Sequence, residues 1–268
     1  MGKNVRVLIA VVGWERGARN GENQAMRDTC LGPVPSPKNS ATSAAVTGRF
    51  NQRLGRPKPS VEYKFFIGDG TPTREDETAV FKSMGESPET YRVKADYWSK
   101  ETTQSSYVPK GDEVFLHVPD DYIHHVYKTR EAHRWAVEHG YDYIFKCDVD
   151  TYVDVQRLMN SGFENYDYIG KVGGNDECGY FASGGCGHWL SKKAAHLILD
   201  APVTFWAEDG WIGSVMRKHG IEVHHDGRYV DAPDFPKQDN DIISAHLAIT
   251  PTVYDSKRMY EIHRLRYL

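Results

Sequence analysis

Short apolar runs recur along the chain at residues 5–12, 61–67, 114–118, 141–145 and 166–172, and each reads as a strand. The segments between them carry helical signals at 23–30, 74–84, 122–139 and 192–199. In the third of these, Val126, Ala132, Trp135 and Ala136 recur at roughly helical spacing, which predicts one apolar face. Strands alternating with helices predict an α/β fold with a largely parallel central sheet covered by helices. Neither an internal repeat nor a coiled-coil heptad interrupts that pattern.

At 268 residues the chain can bury one sizeable core, and the simplest organisation is a single catalytic domain over 1–268. A hydrophobic share of 40% and a charged share of 26% are ordinary for a soluble enzyme. The net charge of −4 argues against a surface built wholly for nucleic acid. No apolar run approaches the ~20 residues that span a bilayer. The run at 5–12 leads into Gly-Trp-Glu-Arg without a small-residue cleavage site, so it reads as a first buried strand rather than a secretory segment. Arg6 occupies the position where a myristoylation signal wants Ser or Thr. A cytoplasmic location is the resulting expectation.

Cys30, Cys147, Cys178 and Cys186 have no Cys-x-x-Cys spacing, which argues against zinc and leaves reduced thiols as the default. Cys178 and Cys186 flank a Gly-rich segment and could close a short loop in an oxidising compartment. Residues 33–60 differ in kind, with Lys38, Arg49, Arg53, Arg56 and Lys58 among Pro, Ser, Thr, Ala and Gly, and no acid. That composition predicts a flexible basic insertion, either a solvated loop or an electrostatic contact for an anionic acceptor. Lys257, Arg258, Arg264 and Arg266 would add to such a contact if the fold brought them near.

The most telling stretch is Tyr143-Ile-Phe-Lys-Cys-Asp148-Val-Asp150-Thr-Tyr-Val-Asp154, where an apolar strand ends in two carboxylates one residue apart. If the strand persisted, Asp148 and Asp150 would project to one side. A tight turn would instead let one carboxylate hold a divalent cation while the other orients a ribose. Thr151 onward reads as the start of a helix. Downstream, Ser183-Gly184-Gly185-Cys-Gly187 offers backbone that a ligand can approach closely, and Ser191-Lys-Lys-Ala-Ala reads as a capped helix. Glu208 and Asp209 head another helical segment, flanked by Trp206 and Trp211 as a candidate apolar face for a sugar. Of the 12 histidines, His246 is the preferred metal ligand, with His224 and His225 as competitors in a stretch that looks like a strand running into a turn.

In their order, these clusters resemble the inverting glycosyltransferase family of Fringe and the β-1,3-galactosyl- and β-1,3-N-acetylglucosaminyltransferases. Asn23-Gln-Ala-Met-Arg27-Asp-Thr-Cys30 is similar to the family's Arg-x-x-Ile-Arg-x-Thr-Trp, with Arg27 fitting the second Arg. Phe65-Phe-Ile-Gly68 resembles Phe-Leu-Leu-Gly, and the stretch from Asp120 to Thr129 resembles Asp-x-Tyr-x-Asn-Leu-x-x-Lys-Thr, which makes Lys128 similar to a donor-site lysine. Lys146-Cys-Asp148-Val-Asp150 resembles Lys-x-Asp-Asp-Asp, with Val149 in place of the middle acid. Ser183-Gly184-Gly185, Glu208-Asp209 and His246 fit the remaining motifs.

The resemblance implies a GT-A fold and a hexosyl- or pentosyltransferase that uses a UDP-sugar and manganese or magnesium. Asp150 and His246 would hold the ion, with Asp148 at the ribose or at the metal through water. Asp209 would act as base. Arg27, Lys128, Ser183, Gly184, Gly185, Glu208 and Trp206 would line the donor site. The acceptor is expected to be a glycan or glycolipid. A hydroxylated base in DNA, reached through the basic insertion, and a non-catalytic nucleotide-sugar-binding module are the alternatives. Lacking the family's usual anchor and stem, the chain looks like a soluble bacterial or viral relative.

Overall fold

The computed structural model describes residues 4–32, 59–85, 108–176, 179–231, 241–247 and 256–267. In chain order the first half contributes β1 (Arg6–Val12), α1 (Glu15–Arg19), α2 (Glu22–Asp28), β2 (Ser60–Gly68), α3 (Thr78–Met84), β3 (Glu113–Leu116) and α4 (His125–Glu138). Next come β4 (Tyr143–Asp148), β5 (Thr151–Val153), α5 (Val155–Met159), β6 (Tyr168–Gly170), β7 (Val172–Asn175), β8 (Gly179–Ala182), β9 (His188–Ser191) and α6 (Lys192–Leu199). The remainder is α7 (Glu208–Lys218), β10 (His224–His225), β11 (Tyr229–Asp231), β12 (Ser244–His246) and α8 (Lys257–Tyr267).

Seven strands form the main sheet in the order β10-β6-β9-β4-β1-β2-β3. All its pairings are parallel except those that β9 makes with β4 and β6. The expected α/β class and mainly parallel sheet are therefore present. In β1, Val7, Ile9 and Val11 enter one core while Leu8, Ala10 and Val12 enter the other. Parallel neighbours leave no wet face, which is why the run is continuously apolar rather than alternating.

The same alternation governs β4. Phe145 and Cys147 belong to the first core and Ile144 to the second, so Lys146 and Asp148 share Ile144's face. That face is covered by α4, α6 and α7 through Val126, Ala194, Ile198, Trp211 and Ile212. The opposite core includes Met26, Leu158 and Met259 from α2, α5 and α8, with Ala245 from the small sheet β11-β12-β5.

Several local expectations need correction. Residues 151–153 form a strand rather than the start of a helix, because Thr151-Tyr-Val pairs antiparallel with β12. The helix begins one residue after Asp154, whose side chain accepts the Arg157 N–H at 2.9 Å. Trp211 is fully buried, and its Nε1 donates to the Pro202 carbonyl at 2.9 Å, so it offers no face to a ligand. The predicted cap of α6 is present, with Ser191 Oγ accepting the Ala194 N–H at 3.2 Å. Residues 33–58 of the basic insertion expected at 33–60, and Cys178, lie outside the described residues, while Ser60 opens β2 and Cys186 is a buried free thiol.

Candidate functional site

Beyond the ends of β1 and β4, whose parallel register sets Val12 beside Asp148, two loops meet. They come close because Gly13 has no side chain: a Cβ there would lie 2.7 Å from Val149 Cγ1. Asp148 ends its strand on the same face as Lys146, and the following turn carries Asp150 away toward the small sheet. The two carboxylates therefore meet different partners, Lys146 for Asp148 and His246 for Asp150.

Asp148 faces a buried cation. Lys146, with no exposed surface, places Nζ 2.8 Å from Asp148 Oδ1 and 2.7 Å from Glu208 Oε1, and His125 Nε2 lies 3.2 Å from the same Asp148 oxygen. Burial alone would raise both carboxyls, but the charges of Lys146 and His125 hold them below the usual carboxylate range. His125, Asp148 and Glu208 are the group of three described residues whose ligand atoms lie within 4.8 Å of one another. Lys146 already supplies the positive charge there, and a metal would have to displace a lysine that cannot reach water. As it stands the cluster is an internal ion-pair network, and Asp148 reaches the Asp150 side of the turn through its charge, which acts on His246.

Asp150 faces the other way. In the small sheet, β12 lies between β11 and β5, with His246 registered against Asp231 on one side and Thr151 on the other. This returns His246 to the turn from almost a hundred positions away in sequence. His246 Nε2 is 3.3 Å from Asp150 Oδ2, and its Nδ1 is 3.6 Å from Asp231 Oδ1. A carboxylate behind one imidazole nitrogen fixes the ring and aims the other nitrogen, the arrangement common to metal-binding histidines. Asp231 is itself held by Lys171 and by the Cys186 thiol at 3.1 Å. Contacts to Asp150 and Asp231 raise the His246 pKa to about 10, against the effect of burial.

On this side Asp150 and His246 offer a divalent ion one carboxylate and one imidazole. Asp150 Oδ1 is buried without a hydrogen-bond partner, as is Oε2 of nearby Glu22. Burial and the charge of Asp150 push the Glu22 carboxyl up to about 7, against the pull of Arg16. Carboxylate oxygen with imidazole nitrogen is a donor set that manganese accepts.

The glycine loop ties these parts together. Thr151 Oγ1 accepts the Asp148 N–H at 3.1 Å and donates to the Gly185 carbonyl at 2.8 Å. A Cβ on Gly185 would sit 2.9 Å from the His246 ring, and one on Gly184 would sit 2.0 Å from Glu208 Oε1. These two positions need glycine because side chains from two other elements occupy the space. Ser183 holds the loop to Lys171 through a backbone N–H donated at 2.8 Å. Asp209, beside Glu208 at the head of α7, accepts the Gly184 N–H at 3.1 Å and the Gly210 N–H at 2.7 Å. Burial and the neighbouring Glu208 charge push its pKa up to about 6 despite those bonds. It is a carboxylate ionised at neutral pH and more basic than usual.

No protein-family model matches the chain, and no curated protein matches it either. The site is therefore read from its own geometry.

That geometry joins Asp150, His246, Ser183, Gly184, Gly185, Glu208 and Asp209 to the Asp148 turn, and pairs two other expected residues with protein groups, Arg27 at β3 and Lys128 at Gly13 beside the turn. Arg27 gives Nε and Nη2 to Asp112 at 2.9 and 2.7 Å, adds Glu113 at 2.6 Å, and lies 4.6 Å over the Phe65 ring. Lys128 is fully buried and donates to the Gly13 carbonyl at 2.8 Å and to Asp120 at 3.0 Å. Both stitch the sheet edge and its loops together, and a phosphate would have to break those pairs to use them. Trp206 stands at the rim, its backbone N–H donated to Ser83 Oγ at 3.1 Å. His224 and His225 form β10 and lead into a turn at the far edge of the sheet, as expected. Sequence reading missed His125, Asp231 and Glu22, since a lone His or acid gives no signal until topology supplies its neighbour.

Proposed function

We propose that the protein is a GT-A fold, metal-dependent inverting glycosyltransferase that moves a hexosyl or pentosyl group from a UDP-sugar to an acceptor hydroxyl of a glycan or glycolipid. The observation that carries this reading is convergence. Four clusters far apart in sequence, at 148–150, 183–185, 208–209 and 246, meet through Thr151, Gly184, Gly185 and Lys146 in one hydrogen-bonded unit. The resemblance set out from the sequence names the same clusters.

Asp150 and His246 would hold manganese or magnesium, which when bound would neutralise charge on the departing diphosphate. Asp231 keeps the His246 ring in place for that task. Asp209 takes the proton of the attacking hydroxyl, and its pKa of about 6 suits a base that must be free at neutral pH yet bind a proton well. Glu208, kept ionised by Lys146, supplies the repulsion that contributes to that pKa. The Gly184 and Gly210 N–H groups orient the carboxylate without protonating it. Arg27 and Lys128 have no part in this account.

Asp209→Asn should abolish both transfer and slow hydrolysis of the UDP-sugar while leaving manganese-dependent UDP binding within about twofold. A parallel loss of UDP binding would place Asp209 in the donor site instead and remove it as the base.

A further inference from the structure

Around the first turn of α7 stand three aromatic side chains that the mechanism above does not use. Tyr122 and Phe205 are among the exposed large hydrophobic residues, at 47% and 38%, and Trp206 lies between them. Its ring centroid is 5.7 Å from that of Tyr122 and 6.2 Å from that of Phe205, with interplanar angles of 46° and 40°. Single exposed aromatics are unremarkable on a protein surface, but three in mutual contact at the head of one helix are not scatter.

Separate chain segments hold the rings in place. The Phe205 ring rests on α7, where a Cβ at Gly210 would fall 3.1 Å from its Cε1. Trp206 is tethered to Ser83 of α3. Tyr122 precedes α4, and His124, two residues on, is clamped between Asp121 at 2.6 Å and Glu77 at 2.8 Å. Inward of the rings lie the acids. The charges of Glu208, Asp148 and Asp209 all act on the Tyr122 phenol.

From this arrangement we infer that Tyr122, Phe205 and Trp206 form the acceptor platform, and that it takes an uncharged pyranose ring. The inference rests on the glycosyltransferase reading and names the acceptor class for it. A pyranose has an apolar C–H face that stacks on aromatic rings and hydroxyls that donate to carboxylates. Here the platform and the acceptors, Glu208 and Asp209, are neighbours in sequence and space. The carboxylates beside the platform outnumber the one buried lysine that pairs with them, and the excess negative charge repels a phosphate-bearing acceptor, which separates a neutral sugar from nucleic acid.

The test uses the full chain with UDP and manganese and a panel of methyl β-pyranosides of glucose, galactose, mannose and N-acetylglucosamine, with 5-hydroxymethylcytidine as comparison. Saturation-transfer NMR with aromatic irradiation reads binding, and the thermal shift given by UDP with manganese is recorded in parallel. At least one pyranoside should respond, and the double variant Tyr122→Leu/Phe205→Leu should weaken it about tenfold with the UDP shift retained. Both side chains are exposed, so the variant should fold, and the retained UDP shift confirms it. The inference is overturned if no pyranoside responds, if only the nucleoside does, or if the double variant lowers UDP affinity and leaves the pyranoside unchanged. Loss of the UDP shift in the unaltered protein would sink the glycosyltransferase reading, whereas a pyranoside lost only in the variant would still uphold the platform.

Discussion

Lys146 shows how one residue can set the chemistry of several others. Buried among Asp148, Glu208 and His125, it holds both carboxyls ionised, and the ionised Glu208 helps raise Asp209. The consequence is a pH dependence. Rates of UDP-sugar hydrolysis or transfer should rise as pH passes through about 6 and then level off, as Asp209 deprotonates. A rising limb near pH 4, the ordinary range of an aspartate, would show that burial and Glu208 do not act on the base as described. Stability carries the opposite sign. A carboxyl whose folded pKa exceeds its unfolded value weakens the fold as pH rises between the two, so Asp209→Asn should stabilise the protein at pH 7 to 8 by roughly 1 kcal/mol. Urea melts of the two proteins would measure that gain, and a loss of similar size would contradict it.

At the scale of elements, the small sheet makes the candidate metal centre, because β12 alone brings His246 between Asp231 and the Asp150 turn. Replacing Asp231 with Ala should weaken manganese binding 10- to 100-fold with little change in fold, as read by titration calorimetry. Unchanged affinity would mean that the carboxylate does not orient the ring. A second element-level contact joins α3 to α4. Burial lowers the His124 pKa, but its bonds to Asp121 and Glu77 outweigh burial and raise it from 6.5 to about 9. The raised pKa gives a stabilising term that is fully present below pH 6.5 and lost as pH climbs through 9. The deficit in stability of His124→Gln relative to the native protein should therefore shrink above pH 9, and a deficit independent of pH would count against the ion pairs. Most helices and the long strands were legible from periodicity and caps, as Ser191 and the β1 run illustrate, whereas α1 and α8 were not. β5, β11 and β12 were not, since strands of three residues carry too little pattern, and Thr151-Tyr-Val reads equally well as the lead into the helix that Asp154 caps.

For the whole molecule, a both-sides-buried sheet places two chemistries at one edge through strand alternation up to Asp148 and the turn that ends β4. Asp148 follows the face of Lys146 into the α4 and α7 layer, and one turn later Asp150 faces the small sheet. The carboxylate pair was visible in the sequence as a candidate cation site, but its division was not, because that depends on where β4 ends. The likeness of Arg27 and Lys128 to donor-site residues was equally visible, whereas their commitment to Asp112, Glu113, Asp120 and Gly13 appears only once the strands are assembled. No described helix is long and apolar enough to cross a membrane. The central claim is that this edge binds a uridine nucleotide through a metal held by Asp150 and His246. Thermal shifts with UDP, GDP, CMP and common UDP-sugars, each with manganese or with EDTA, test it most directly, since a ligand selective for the native state raises the melting temperature. Stabilisation by uridine nucleotides with manganese, absent in EDTA and in Asp150→Asn, is the predicted result; no shift with any nucleotide would contradict the account.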